Sequence, residues 1–233
     1  FAPPKSLLLY FGWPCVINGT YWNVDAASAE FGLYDYVVFG GSLEKDTHPN
    51  HAFTTSVIAH PSTAHTQAFG YIDLGTIYAS NHSLTEIHTR IGEWQAMGID
   101  GIFFDRADYF FGTSRQRQND AIDYAHNLGL KVALSAAYPQ DVFDSAVDAT
   151  YNSTGDSSHI GTDDFYFYAN HQLVSQGFET AANWQSKAEI LKGYQNDLDF
   201  KVWSQTYTDA EHAYDEDAFF YAWHSALLYG HDA

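Results

Sequence analysis

Short apolar runs alternate along this chain with longer stretches in which apolar residues recur at three- and four-residue intervals. A short run with no polar face fits a strand buried on both sides, and the longer spacing fits a helix with one apolar face. Strands are expected at Ser6–Phe11, Asp35–Gly40, Gln67–Leu74, Gly101–Asp105, Leu130–Ala136, Asp164–Tyr168 and Phe200–Gln205. Helices fit Leu84–Met97, Ser114–Leu128, Glu179–Asn196 and Tyr214–Tyr229. The clearest is Leu84–Met97, where Leu84, Ile87, Ile91, Trp94 and Met97 build one face, Ser83 and Glu86 form a capping box, and Gly98 supplies the stop. Strands alternating with helices predict a parallel sheet of the α/β class, and here a (β/α)8 TIM-type barrel occupying residues 1–233 as a single domain. After Tyr229 only Gly-His-Asp-Ala remains, so an eighth strand is not evident. The long loops Cys15–Ala29, Gly41–His51 and Thr150–Asp163 include two that follow strands, where barrel active sites are built.

Composition narrows the partners. Hydrophobic residues make up 45% of the 233, yet no apolar run is long enough for a membrane span. A formal charge of −19 opposes attraction to phosphate, so nucleic acid is not an expected partner. Asp dominates the acidic side chains, which fits either a solvated surface suited to high salt or a field that draws in a cationic ligand. Cys15 stands alone and can form neither an internal disulfide nor a cysteine zinc site. Sequons at Asn18, Asn81 and Asn152 lean toward an extracellular or surface-associated location.

Candidate chemistry gathers at strand ends. Asp105 closes the apolar run GIFFD, where burial suits a carboxyl to acid or nucleophile work, and the plain alternative is a helix cap or a pair with Arg106. Asp73 closes YID on the preceding strand, within reach of a glycosidase carboxylate pair, and its plain alternative is bonding to local amides before Gly75. Aromatic residues reach 17%, and those nearest strand ends are candidates for stacking on sugar rings: Tyr10, Trp13, Tyr109, Tyr138, Trp203 and Tyr207. His48, His51, His60 and His65 crowd one unit without a carboxylate scaffold, so no metal is expected. No nucleophile elbow, Walker or dinucleotide sequence follows a strand, and no cofactor is expected.

The segments LLLYFGWPCVINGTYWNVDA, FGYIDLG, SLTEIHTRIGEWQAMGIDGIFFD, RQNDAIDYAHNLGLKV and FFYAWHSALLYGHDA together resemble the spherulin-4-like glycoside hydrolases, and more distantly the bacterial endo-polygalactosaminidases. The resemblance implies a (β/α)8 barrel acting on galactosamine-containing exopolysaccharide through an acidic cleft, without metal or organic cofactor. It also implies Asp-Glu at the end of the fourth strand and a further Glu at the end of the sixth. Asp105 matches, but Arg106 stands in place of the first Glu, and Ala169 or Asn170 in place of the second. Asp108, Asp163, Asp164 or Glu179 compensates only in a different register. Hydrolysis uses two carboxyls, and arginine cannot donate a proton near neutral pH. Two expectations therefore stand: a glycoside hydrolase built on Asp105 and Asp73, with Asn170 among the sugar-binding residues, or a catalytically inactive glycan-binding or structural barrel of an extracellular or virion surface assembly.

Overall fold

In the computed structural model, residues 5–169, 173–174, 177–205 and 216–233 are described. Each expected strand forms: β1 Leu7–Tyr10, β2 Tyr36–Phe39, β3 Gln67–Asp73, β4 Gly101–Asp105, β5 Lys131–Ala136 and β6 Phe165–Tyr168. A small antiparallel hairpin, β7 Leu173–Val174 with β8 Gly177–Phe178, precedes the last, β9 Lys201–Ser204. The helices are α1 Val24–Phe31, α2 His51–Ile58, α3 Leu84–Ala96, α4 Arg115–Asn127, α5 Gln140–Phe143, α6 Ala181–Leu198 and α7 Glu216–Tyr229. The α1, α2 and α5 helices were not legible in the sequence pattern, because so few turns leave little room for a periodic signal. Ser83 and Ser114 cap α3 and α4 by accepting from the amides of Glu86 and Arg117.

The seven long strands form one parallel sheet in the order β1-β2-β3-β4-β5-β6-β9. Laid flat, β2 and β9 would lie roughly 24 Å apart, five strand spacings. The rings of Tyr36 on β2 and Trp203 on β9 instead meet at 4.8 Å, so the sheet curls on itself. Strand alternation then divides the core. Val37, Ile72, Ile102, Phe104, Val132 and Leu134 point outward to the helices, while Tyr36, Val38, Phe69, Phe103, Phe165 and Trp203 fill the interior. Phe69, Phe165 and Trp203 touch one another in edge-on or tilted pairs 4.3–5.5 Å apart. This end of the barrel is packed solid.

The seam between β9 and β1 is spanned by the chain terminus. Asp232 donates its amide to Val202 O at 2.7 Å, Lys5 donates to Asp232 O at 2.8 Å, and Ser204 donates to Ala233 O at 2.9 Å. Asp232 and Ala233 thus stand where an eighth strand belongs. A pattern around the amino-terminal rim supports that placement. The carboxylates of Asp35, Asp100, Asp164 and Asp232 accept from the amides of Ser6, Ala68, Val132 and Val202, each on the strand before or, for Ser6, directly preceding it. The carbonyls of the same four residues accept from Gln67, Lys131, Lys201 and Lys5, each at the next odd unit. The fourth aspartate thus repeats what the first three do and brings the ring back to its start.

Candidate functional site

Alternation places Phe69, Tyr71 and Asp73 on the inner face of β3, and Phe103 and Asp105 on the inner face of β4. The two aspartates are direct register partners at the carboxyl ends of their strands. Toward this end the interior changes from packed rings to a half-open mouth. Tyr71 stacks on Phe103 with centroids 6.2 Å apart, and the edge of Phe11 meets it at 5.1 Å. Phe11 is 52% exposed, and its ring lies over Gly40, where any Cβ would collide with it. Tyr71 is itself fixed from outside the barrel. Gly70 leaves room for Trp94 of α3, whose indole N–H donates to the Tyr71 carbonyl at 3.3 Å.

The two carboxylates have unlike surroundings. Asp105 accepts one hydrogen bond, from the Tyr71 hydroxyl to Oδ2 at 2.9 Å, and its Oδ1 receives none from a described residue. Burial pushes the Tyr71 phenol well above its usual range, and the charges of Asp105 and Asp73 push it further. It therefore keeps its proton and serves as a donor. Asp73 is occupied on both oxygens: Gly75 N–H donates to Oδ1 at 2.9 Å, and Asn81 and the Arg106 guanidinium donate to Oδ2 at 3.1 and 2.8 Å. The local bond foreseen as the plain alternative for Asp73 is present, and Arg106 pairs with Asp73 rather than with Asp105.

Arg106 takes a left-handed backbone, φ 55°, directly after Asp105, a conformation that strains a residue with a Cβ. The turn is braced by Thr113, whose hydroxyl donates to the carbonyls of Arg106 and Leu74 at 2.8 and 3.0 Å. The guanidinium lies between the rings of Tyr78 and Phe111, 5.0 and 5.4 Å from their centroids. Burial works against its charge, but Asp73, Tyr71 and Asp105 together outweigh that and raise its pKa.

The remaining expected residues divide. Trp13 and Tyr138 are each 50% exposed, the first edge-on to His48 and the second under the Lys187 ammonium. Tyr109 is partly covered by a parallel stack with Tyr151 at 4.9 Å. Two rings are turned to packing instead. Tyr10 lies on the outer face against Phe31 and donates to Trp13 O, and Trp203 is fully buried in the interior and has no face open to a sugar. Asn170 and Tyr207 lie outside the described residues. Of the alternative acids, Asp108 accepts from the amides of Phe111 and Ala137 and Asp164 staples the opposite rim, Asp163 is largely exposed near Lys201, and Glu179 accepts from Asn183 and lies near Tyr168 of β6. Tyr71 was missed by sequence reasoning, although the alternation through Phe69 and Asp73 marks it as inward-facing. His48, His51, His60 and His65 each bond a nearby loop, and among the described residues no three His, Cys, Asp or Glu side chains are grouped to hold a metal. Of the sequon asparagines only Asn18 is exposed, whereas Asn152 is 2% exposed and Asn81 is engaged with Asp73. No described helix is long and apolar enough to cross a membrane.

No family model and no curated protein matches the chain. Solved structures do. The carboxyl transferase domain of Rhizobium etli pyruvate carboxylase with 3-bromopyruvate superposes with a TM-score of 0.58 at 10% identity, covering 99% of this chain and 39% of that one. A monomeric dihydrodipicolinate synthase variant gives 0.54 at 11% identity, covering 98% and 67%. The glycoside hydrolase domain of PelA from Pseudomonas aeruginosa gives 0.49 at 14%, covering 89% and 86%. The chain spans only 22% of the Rhizobium etli pyruvate carboxylase variant chain that it also matches. At such identities the first two likenesses speak for the scaffold alone, and with the curled seven-stranded parallel sheet they show that this chain has a partial (β/α)-barrel fold.

Proposed function

We propose that the mouth at the carboxyl ends of β3 and β4 binds a polysaccharide, with Asp105 as its charged anchor and the exposed rings of Phe11, Trp13 and Tyr138 as stacking surfaces. The observation that carries this reading is the state of Asp105. It is an inward-facing carboxylate at the open end of a barrel, oriented by one phenol and with an oxygen that no described residue engages. An amine-bearing sugar suits that oxygen and the net charge of −19, and the sequence resemblance points to a galactosamine-type exopolysaccharide. Such a ligand fits a protein working at an extracellular or virion surface.

Cleavage is the second reading, favoured by the register pairing of Asp73 with Asp105. It requires a second carboxyl to act on the sugar, and Asp73 reaches one only by breaking its bonds to Arg106, Asn81 or Gly75. Titration of partially deacetylated galactosaminogalactan, with reducing ends assayed in parallel, separates the two. Binding that weakens in Asp105→Asn, without release of reducing ends, supports glycan recognition. Release abolished by both Asp105→Asn and Asp73→Asn establishes hydrolysis. A wild-type chain that binds no amine-bearing, acidic or neutral glycan overturns the reading altogether.

A further inference from the structure

The loop from β1 to α1 leaves the same face of the barrel and carries an unusual concentration of strain and exposed rings. Asn18, Tyr21 and Trp22 all have left-handed backbone, with φ of 45°, 40° and 64°. Two consecutive bulky residues in that region are sterically disfavoured, because each Cβ crowds the following carbonyl. Tyr21 is 77% exposed and Trp22 is 57% exposed, the latter touching only the edge of Phe53 among described rings.

The loop is nevertheless tightly held. Cys15 is fully buried and its amide donates to Asn50 Oδ1 at 3.1 Å, Trp22 N–H donates to Cys15 O at 2.7 Å, and Thr20 N–H donates to Ile17 O at 2.9 Å. A strained conformation clamped by its surroundings, with its rings turned to solvent, is the arrangement expected of a preorganised binding surface.

We infer that Tyr21 and Trp22 form a second sugar-stacking platform, remote in sequence from Asp105, that engages further residues of the same polysaccharide chain. The inference rests on the carbohydrate reading above and extends it from a single subsite to an elongated one. Continuity favours this occupant: Phe11, at the start of the loop, lies against Tyr71, the hydrogen-bond donor to Asp105. Between Phe11 and Asn23 the loop has no charged residue, and its Asn18, Thr20 and Asn23 side chains are bonded to Glu30, the Cys15 carbonyl and the Ala26 amide, so the exposed rings are what it offers a ligand.

The test is the length dependence of binding, measured by calorimetry with a disaccharide and an octasaccharide of partially deacetylated galactosaminogalactan. The wild-type chain is expected to bind the octasaccharide about tenfold more tightly than the disaccharide. The Tyr21→Ala/Trp22→Ala double variant should bind the disaccharide as the wild type does and lose the tenfold gain. A double variant that keeps the gain, whether or not its self-association changes, overturns the platform and leaves Asp105 as anchor untouched. Failure of the wild type to bind either fragment overturns both. Tyr21→Gly supplies the control for folding: relief of the strained backbone should raise Tm by about 2–4 °C. A fall in Tm with that variant shows that the ring serves the fold and sinks the inference.

Discussion

The two rims of this barrel are both set with aspartates, and they use them differently. At the amino-terminal rim, Asp35, Asp100, Asp164 and Asp232 each accept the amide of a neighbouring strand and tie alternate units together. At the carboxyl rim, Asp73 is held by an amide, an asparagine and an arginine, while Asp105, among the described residues, answers to a single phenol. Residue type and position at a strand end do not distinguish a staple from a candidate site. The number of donors already committed to the carboxylate does, since a group saturated by its own fold has no capacity left for a ligand.

The sharpest way to break this comparison is to remove one aspartate from each rim. Asp164→Ala strips partners from the amides of Val132 and Gly161 and from His126 in a site where Asp164 is 2% exposed. It should cost about 3 kcal/mol, lowering Tm by roughly 6–12 °C in a thermal melt. Asp105→Ala should move Tm by far less, and equal losses would erase the distinction between the rims. Deleting Asp232 and Ala233 unpairs Val202, Lys5 and Ser204 along the seam. About 2 kcal/mol should go, read as a lower denaturation midpoint, and an unchanged midpoint would show that the tail does not close the barrel. Asp105→Asn should weaken glycan binding about tenfold in calorimetry, near 1.4 kcal/mol, while Tm stays put. Binding that survives intact moves the anchor elsewhere.

The smallest effect concerns pH at the amino-terminal rim. The hydrogen bond to Asp164 raises the His126 pKa, with desolvation opposing it. A histidine whose folded pKa exceeds its unfolded value stabilises the fold below the unfolded value, near 6.5, and that gain is lost as pH rises through the raised folded value. The Tm advantage of the wild type over His126→Gln should therefore be full in mild acid and shrink from neutral pH upward. A gap that widens with pH contradicts this sign.

Much of the scaffold was legible because a strand buried on both faces must be apolar throughout, and GIFFD or DYVVF has no other use for its residues. The same property concealed which side of each strand faces the barrel interior. Leu8 and Tyr10 point outward and Leu7 and Leu9 inward, yet LLLY reads the same either way. This is why Tyr10 looked like a mouth residue and lies against Phe31, and why Trp203 looked available and is buried. Tyr71 went unnoticed for a related reason, since its role depends on sharing a face with Asp73 and a register with Phe103.

The seven strands of the parallel sheet, helix α3 with its cap, the acidic charge and the candidacy of Asp73 and Asp105 follow from residue order alone, because each depends on neighbours within a few positions along the chain. The closure by Asp232, the capture of Asp73 by Arg106 and the openness of Asp105 depend on contacts between residues far apart in sequence. Hydrogen-bond partners at that range are set by the curl of the sheet and the register of its strands. No local pattern encodes them.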